Sequence, residues 1–191
     1  MSTVAEVRVK RIHPKKFAMW MAIVSMIMFF SAFTSAFIVR KSSGNWMYFP
    51  IPNEFFYSTA IILMSSVVFY ASKKAYLNSQ EKLFKVLFFL GFTLGLAFIF
   101  MQYAGWTALN GMEIDVTTNQ SSSFFYLITG AHVAHVVGGI AALLVMTVGV
   151  VLGKYKNVSP KRTLNLELVY TYWHFVDILW IYLFVFLWIQ Q

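Results

Sequence analysis

Five ionisable side chains, set in two long apolar segments, are the residues of this sequence that could do chemistry. His132 and His135 are three residues apart, and Glu167, His174 and Asp177 follow one another at spacings of seven and three. On a helix, both spacings place side chains on one face. An ionisable side chain inside a membrane-spanning helix is costly unless it is paired, so these residues are the first candidates for a site.

Three kinds of chemistry fit these residues. His132, His135, His174 and Asp177 could supply four ligands to a metal or a haem, although the chain has no Cys and so no thiolate ligand. They could instead form an interhelical network, in which His174 pairs with Asp177 while His132 and His135 face the polar surface of the last helix. A proton relay is the third. The network is favoured, because membrane di-iron and di-haem proteins need more ligands than these positions offer.

Glu167 lies about three residues inside its segment. From there its carboxylate could reach lipid headgroups or the neighbouring Lys161 and Arg162. An ion pair at the membrane surface is therefore expected for Glu167, rather than membership of a catalytic centre.

Five apolar runs must position these side chains. Of the 191 residues, 59% are hydrophobic and 12% are charged, and a soluble domain would carry about twice that charge. A spanning helix needs roughly 20 mostly apolar residues. The sequence predicts one all-α membrane domain over residues 1–191, with helices at residues 17–39, 55–72, 83–106, 124–152 and 164–189.

The basic residues are concentrated on one side of the predicted membrane. Thirteen of the fifteen stand before the first run, in the second and fourth connections or at the start of the third run: Arg8, Lys10, Arg11, Lys15, Lys16, Lys73, Lys74, Lys82, Lys85, Lys154, Lys156, Lys161 and Arg162. This bias predicts a cytoplasmic N-terminus and a periplasmic C-terminus. The net charge of +8 is then explained by topology and anionic headgroups rather than by nucleic acid. Because apolar residues continue to Val39, the first run is expected to be a retained helix and not a cleaved signal peptide.

The fourth and fifth runs each contain a long motif. The fifth run has the pattern YWHFVDxxW, with Tyr172, Trp173, His174, Phe175, Val176, Asp177 and Trp180. The fourth run has the pattern FYxxTGxHxxHVxxG, with Phe125, Tyr126, Thr129, Gly130, His132, His135, Val136 and Gly139. Both motifs resemble patterns of the haem-copper oxidase subunit III family. Glu167 stands at the family's glutamate, and a weaker match includes Pro50, Pro52, Thr59, Ser65, Ser66 and Gln102. The resemblance covers nearly all of the chain after Lys16.

The sequence also departs from the family pattern. It is similar to the five-helix bacterial form, which lacks the two additional N-terminal helices that wall a lipid-filled cleft in longer members. Met26 stands where the family usually has Glu after Ser25, and Gly105 stands where it usually has an acidic residue three positions after Gln102. Roles that the family assigns to those two carboxylates cannot be transferred to this chain.

The resemblance implies a non-catalytic subunit III of a proton-pumping terminal oxidase, a cytochrome c oxidase of the aerobic respiratory chain in the bacterial inner membrane. Such a subunit binds no redox centre and packs on catalytic subunit I, which carries haem and copper. It is expected to hold structural phospholipids, stabilise the catalytic subunit and support proton uptake, in some cases within a respiratory supercomplex.

Three alternatives remain at this point. The chain could be subunit III of a quinol oxidase, because the electron donor binds to other subunits and the sequence of this subunit does not identify it. It could be a free-standing metal or haem protein that uses His132, His135 and His174. A small transporter or proton channel is the third, although the sequence has neither an inverted repeat nor a proline-broken run.

Overall fold

The structure, a computed structural model, describes residues 13–190, and every regular element in that range is an α-helix. The helices are α1 (Pro14–Ser42), α2 (Asn53–Leu77), α3 (Glu81–Gly111), α4 (Gln120–Val151) and α5 (Pro160–Gln190). All five are long and apolar enough to cross a membrane. The prediction of an all-α chain with five spans is therefore confirmed. The basic residues Arg8, Lys10 and Arg11 lie outside the described range.

The helices extend past the apolar runs because polar residues complete their ends. α4 begins at Gln120, four residues before the predicted start, since the Asn119 side chain accepts a hydrogen bond from Ser121 N at 3.0 Å. The Ser122 hydroxyl lies 3.1 Å from Asn119 N and accepts from it, which completes a capping box. The polar residues before the fourth apolar run are thus the first turn of a helix.

A tight connection joins α2 to α3. Ser79 adopts a positive φ of 58°, its N–H donates to Tyr76 O, and the N–H of Gln80 donates to Ala75 O. These bonds form the Schellman motif, which usually places Gly at the position that Ser79 holds. The link is only three residues long, so α2 and α3 pack as an antiparallel hairpin.

Side-chain contacts at the two ends show that the helices alternate in direction. At one end, the Lys16 and Lys73 side chains pair with Glu167, which brings together the start of α1, the end of α2 and the start of α5. We call this the basic end. At the opposite end, Lys41 Nζ donates to Gln190 O at 2.5 Å.

Helices α4 and α5 form the centre of the bundle. α5 packs against α1, α2 and α4, and α4 packs against α1, α3 and α5. Within residues 13–190, α1 has no packing contact with α2 or α3. The core is aromatic, and Trp173, Trp180 and Tyr170 are among its largest fully buried side chains.

Candidate functional site

A stripe of hydroxyl side chains runs along the face of α2 that packs into the bundle. The stripe consists of Ser58, Thr59, Ser65, Ser66 and Ser72. Because Ser58, Ser65 and Ser72 recur every seven residues, they stay on one face over two heptads of helix. All three are fully buried. We refer to these five residues as the hydroxyl stripe.

Tryptophans of α5 donate hydrogen bonds to the hydroxyl stripe. The Trp173 indole N–H donates to Ser65 Oγ at 2.9 Å, and the Trp180 indole N–H donates to Thr59 Oγ1, also at 2.9 Å. In a membrane an indole N–H has no water to bond, so each of these bonds fixes the position of a large ring.

The two ends of the hydroxyl stripe bind other partners. Near the basic end, Ser72 Oγ is hydrogen-bonded to Tyr170 OH at 3.0 Å. Near the opposite end, Gln102 Nε2 of α3 donates to Ser58 Oγ at 2.9 Å. The stripe therefore holds α5 and α3 against α2 along most of its length.

The predicted pair between His174 and Asp177 does not form. Instead, a 2.5 Å hydrogen bond joins His174 Nδ1 to Ser66 Oγ on α2. Asp177 is almost fully buried, and neither of its carboxyl oxygens has a hydrogen-bond partner among residues 13–190. The Ser66 hydroxyl is engaged by the His174 ring. Because His174 and Asp177 are three residues apart, both side chains lie on one face of α5. That face packs against α2, so His174 bonds to a residue of α2 and not to Asp177.

His132 lies in an aromatic cage instead of meeting polar groups of α5. Its ring centroid lies 5.0 Å from that of Trp180, 5.9 Å from Phe98 and 6.3 Å from Phe30. The ring is fully buried, and neither nitrogen has a hydrogen-bond partner within the described chain. The prediction that His132 faces a polar surface of α5 is corrected, because the part of α5 beside it presents an indole.

His135 turns toward α1. Its ring packs 5.4 Å from Phe30 and 5.8 Å from Phe29, and its Nδ1 lies 2.7 Å from the Ala131 carbonyl oxygen of its own helix. α5 reaches it only at the backbone, where Tyr172 OH donates to His135 O at 2.9 Å. His135 is thus half-buried between α4 and α1, away from the hydroxyl stripe.

Glu167 forms ion pairs with residues that are distant in sequence. Its carboxylate lies 2.9 Å from Lys16 Nζ of α1 and 3.6 Å from Lys73 Nζ of α2. The expected partners Lys161 and Arg162 form no ion pair with it. An ion pair at a helix end was expected, but its partners come from other helices, because Lys161 and Arg162 stand six and five positions before Glu167 and so lie on another face of α5.

The histidines and carboxylates do not converge as metal ligands would. No three His, Asp or Glu side chains of residues 13–190 are grouped closely enough to hold a metal ion. His174 faces α2, His135 faces α1, and His132 is surrounded by rings. The residues present therefore do not fit a haem or metal bound by this chain through His132, His135 and His174.

The remaining motif residues position helices. Thr129 Oγ1 accepts a hydrogen bond from Trp106 Nε1 at 3.1 Å, which joins α4 to α3. A Cβ at Gly139 would lie 3.2 Å from the Trp173 ring, so this glycine allows close approach of α5. A Cβ at Gly130 would meet nothing within 4 Å in the described chain, so this glycine is not required for close helix packing there.

Gly105, which replaces an acidic residue of the family pattern, has a local explanation. A Cβ at this position would lie 2.7 Å from the Phe55 ring, closer than real contacts allow. Phe55 itself is fully buried. A carboxylate side chain at position 105 would displace this ring. The buried position of Phe55 on α2 therefore requires a glycine at position 105.

Sequence reasoning gave too little weight to the hydroxyl stripe. Thr59, Ser65 and Ser66 were noted only as part of a weaker motif, and Ser58 and Ser72 were missed. The signal was present, since small hydroxyl residues that recur at heptad spacing in an apolar helix mark an interhelical face.

We expect Ser66→Ala to lower the free energy of unfolding by about 0.6 to 1 kcal/mol, because it removes the bond to His174 inside the bundle. A double-mutant cycle with His174→Ala, followed by thermal unfolding in detergent, measures the coupling. The matched control is Ser25→Ala, since the exposed Ser25 hydroxyl bonds only the Met21 carbonyl of its own helix. A coupling energy of zero would show that the Ser66 bond contributes nothing.

Fold and site together define a class: a multi-pass membrane protein in which hydrogen bonds of serine, threonine, tryptophan and histidine side chains join helices to one another. The chain matches the family model described as cytochrome c oxidase subunit III over residues 8–191. It therefore belongs to the cytochrome c oxidase subunit III family, as the two motifs predicted.

Individual relatives agree with the family assignment. A "Probable cytochrome c oxidase subunit 3" of Nocardia farcinica is 28% identical over 170 residues, which cover 84% of this chain and 80% of that protein. A "Cytochrome bo(3) ubiquinol oxidase subunit 3" of Buchnera aphidicola is 27% identical over 177 residues, covering 89% of this chain and 88% of the relative. The "Cytochrome c oxidase subunit 3" of Arabidopsis thaliana is 31% identical over 179 residues, covering 85% and 63%. Membership of this family implies that the chain is part of a multi-subunit oxidase.

Proposed function

We propose that this chain is the non-catalytic subunit III of a proton-pumping haem-copper cytochrome c oxidase in a bacterial inner membrane. The observation that carries the proposal is the family match over residues 8–191. The site supports it, because several buried polar side chains bond to neighbouring helices and the histidines and carboxylates of residues 13–190 do not converge on a common ligand position. The chemistry of oxygen reduction is then the work of subunit I, against which this chain packs.

The proposed contribution of the chain is to support subunit I structurally and to hold phospholipid beside it. A bundle fixed by interhelical hydrogen bonds offers subunit I a rigid neighbour, and its outer surface holds phospholipid around the complex. We propose that this support stabilises the catalytic subunit during turnover and assists proton uptake from the cytoplasmic side, where the basic end would lie. Met26 and Gly105 stand where the family usually has carboxylates, so proton uptake in this protein does not use carboxylates at those two positions.

Gentle purification of a tagged chain from its own membrane tests the proposal. We expect a large haem-containing partner to co-purify, identified by mass spectrometry and by a haem absorption spectrum. After a harsher detergent separates the subunits, haem and copper should leave with that partner. Stoichiometric iron or copper on the isolated chain, or a folded chain without any oxidase companion, would contradict the proposal.

A quinol oxidase is the second candidate, because the Buchnera aphidicola relative carries that description. Oxygen consumption by the purified complex decides between the two donors. Rapid uptake with reduced cytochrome c and slow uptake with a quinol is expected for the first candidate. The reverse would assign the chain to the second.

A further inference from the structure

A groove lies at the basic end, between the last turns of α4 and the first turns of α5. Its volume is about 910 Å³. The wall is apolar and includes Val145, Met146, Leu168 and Val169. The rim carries four cationic side chains: Lys15, Lys154, Lys161 and Arg162.

No acidic side chain of residues 13–190 forms an ion pair with the positive charges of this rim. Within residues 13–190, the ion pairs at this end join Glu167 to Lys16 and Lys73, and Glu81 to Lys85. None of the four rim residues takes part in them. Like charges that share one groove repel each other, so an anion bound among them would be favoured.

The wall of the groove lies on the outer surface of the bundle rather than in its core. Val145 is 76% exposed and Val148, which also lines the groove, is 59% exposed. Both residues lie on a membrane-spanning helix, below a rim of cations at its end. An occupant must therefore be anionic at the membrane surface and apolar within it. That combination describes an anionic phospholipid, and basic pockets between spanning helices bind such headgroups.

We propose that this groove binds one anionic glycerophospholipid, with its phosphate among Lys154, Lys161 and Arg162 and an acyl chain along α4 and α5. The inference rests on the proposed function, in which the chain holds structural lipid. It specifies where one such lipid binds and that its headgroup is negatively charged. A zwitterionic lipid would leave more of the rim charge uncompensated and is expected to bind more weakly.

Lipid analysis of the intact oxidase tests the site. The groove variant is Lys161→Gln with Arg162→Gln, and the matched control is Lys74→Gln with Lys82→Gln, which removes the same charge at the same end but outside the groove. Each complex is purified in a mild detergent, and its phospholipids are counted by mass spectrometry. Removing two headgroup cations should weaken retention of anionic lipid by about 30-fold, while the control keeps the wild-type amount.

A second variant tests the acyl wall without changing charge. Val145→Trp should displace the lipid by filling the groove, and it should fold normally because this position is exposed. Retention of the lipid by both groove variants, or equal loss in the Lys74 and Lys82 control, would overturn the proposal. Loss of the catalytic subunit with retention of the lipid would assign the groove to a protein partner and also overturn it. Failure of the wild-type chain to purify with an oxidase would instead refute the proposed function.

Discussion

Gly95→Leu should prevent the chain from accumulating as a folded bundle, and Gly95→Ala should destabilise it measurably. A Cβ at Gly95 would lie 2.6 Å from Trp173 Cη2, 2.8 Å from Trp173 Cζ2 and 3.0 Å from Ile140 Cδ1. The indole cannot retreat, because its N–H is bonded to Ser65 and its other side lies against Gly139. Overpacking of this kind costs about 1 to 3 kcal/mol for a small increase in volume, and a Leu side chain adds three more carbons.

The measurement is the amount of chain retained in the membrane, together with the midpoint of thermal unfolding in detergent. Gly130→Ala is the matched control, since it adds the same methyl group to a spanning helix at a position where nothing lies within 4 Å. We expect the control to match the wild type. An unchanged midpoint for Gly95→Ala would mean that Trp173 is free to move and that the packing described for α3, α4 and α5 is not rigid.

Trp180→Ala should be the most damaging substitution of a single aromatic side chain. The Trp180 ring is fully buried, packs 5.0 Å from His132 and 5.4 Å from Phe98, and donates to Thr59. Its loss would leave a cavity beside an imidazole that has no hydrogen-bond partner in the described chain. Truncation of a buried Trp costs about 3 to 5 kcal/mol.

Trp188→Ala provides the comparison for this prediction. Trp188 lies two turns further along α5, but 57% of its surface is exposed, so it can serve as an anchor at the membrane surface. Its replacement should change the free energy of unfolding by no more than about 0.5 kcal/mol. Chemical or thermal unfolding of both variants in the same detergent measures the difference. Similar losses in the two variants would show that burial of Trp180 does not stabilise the bundle.

The spans were predictable because a membrane imposes a length on every apolar helix. The runs at residues 17–39 and 124–152 correspond to α1 and α4 without ambiguity. The helix ends were less predictable, since capping is decided by single polar residues such as Asn119, which apolar periodicity does not detect. Hydropathy therefore gave the number and order of helices but not their full extent.

Partners of the polar residues were harder to predict than their positions. The spacing of His174 and Asp177 correctly put them on one face, but spacing says nothing about which helix that face meets. His174 bonds Ser66, which is 108 positions away, and Glu167 pairs with Lys16 and Lys73. Such contacts depend on how helices are arranged around each other, and a single sequence contains no direct record of that arrangement.

The packing of α1 bears on how the chain is made. α1 is synthesised before the other four described helices, yet its packing partners within the described residues are α4 and α5, which are made after α2 and α3. The α2–α3 hairpin, in contrast, can form as soon as both of its helices are inserted. α1 therefore stays in the bilayer without these two neighbours until α4 and α5 have been inserted, and a chain truncated before α5 would leave it with only part of its docking surface.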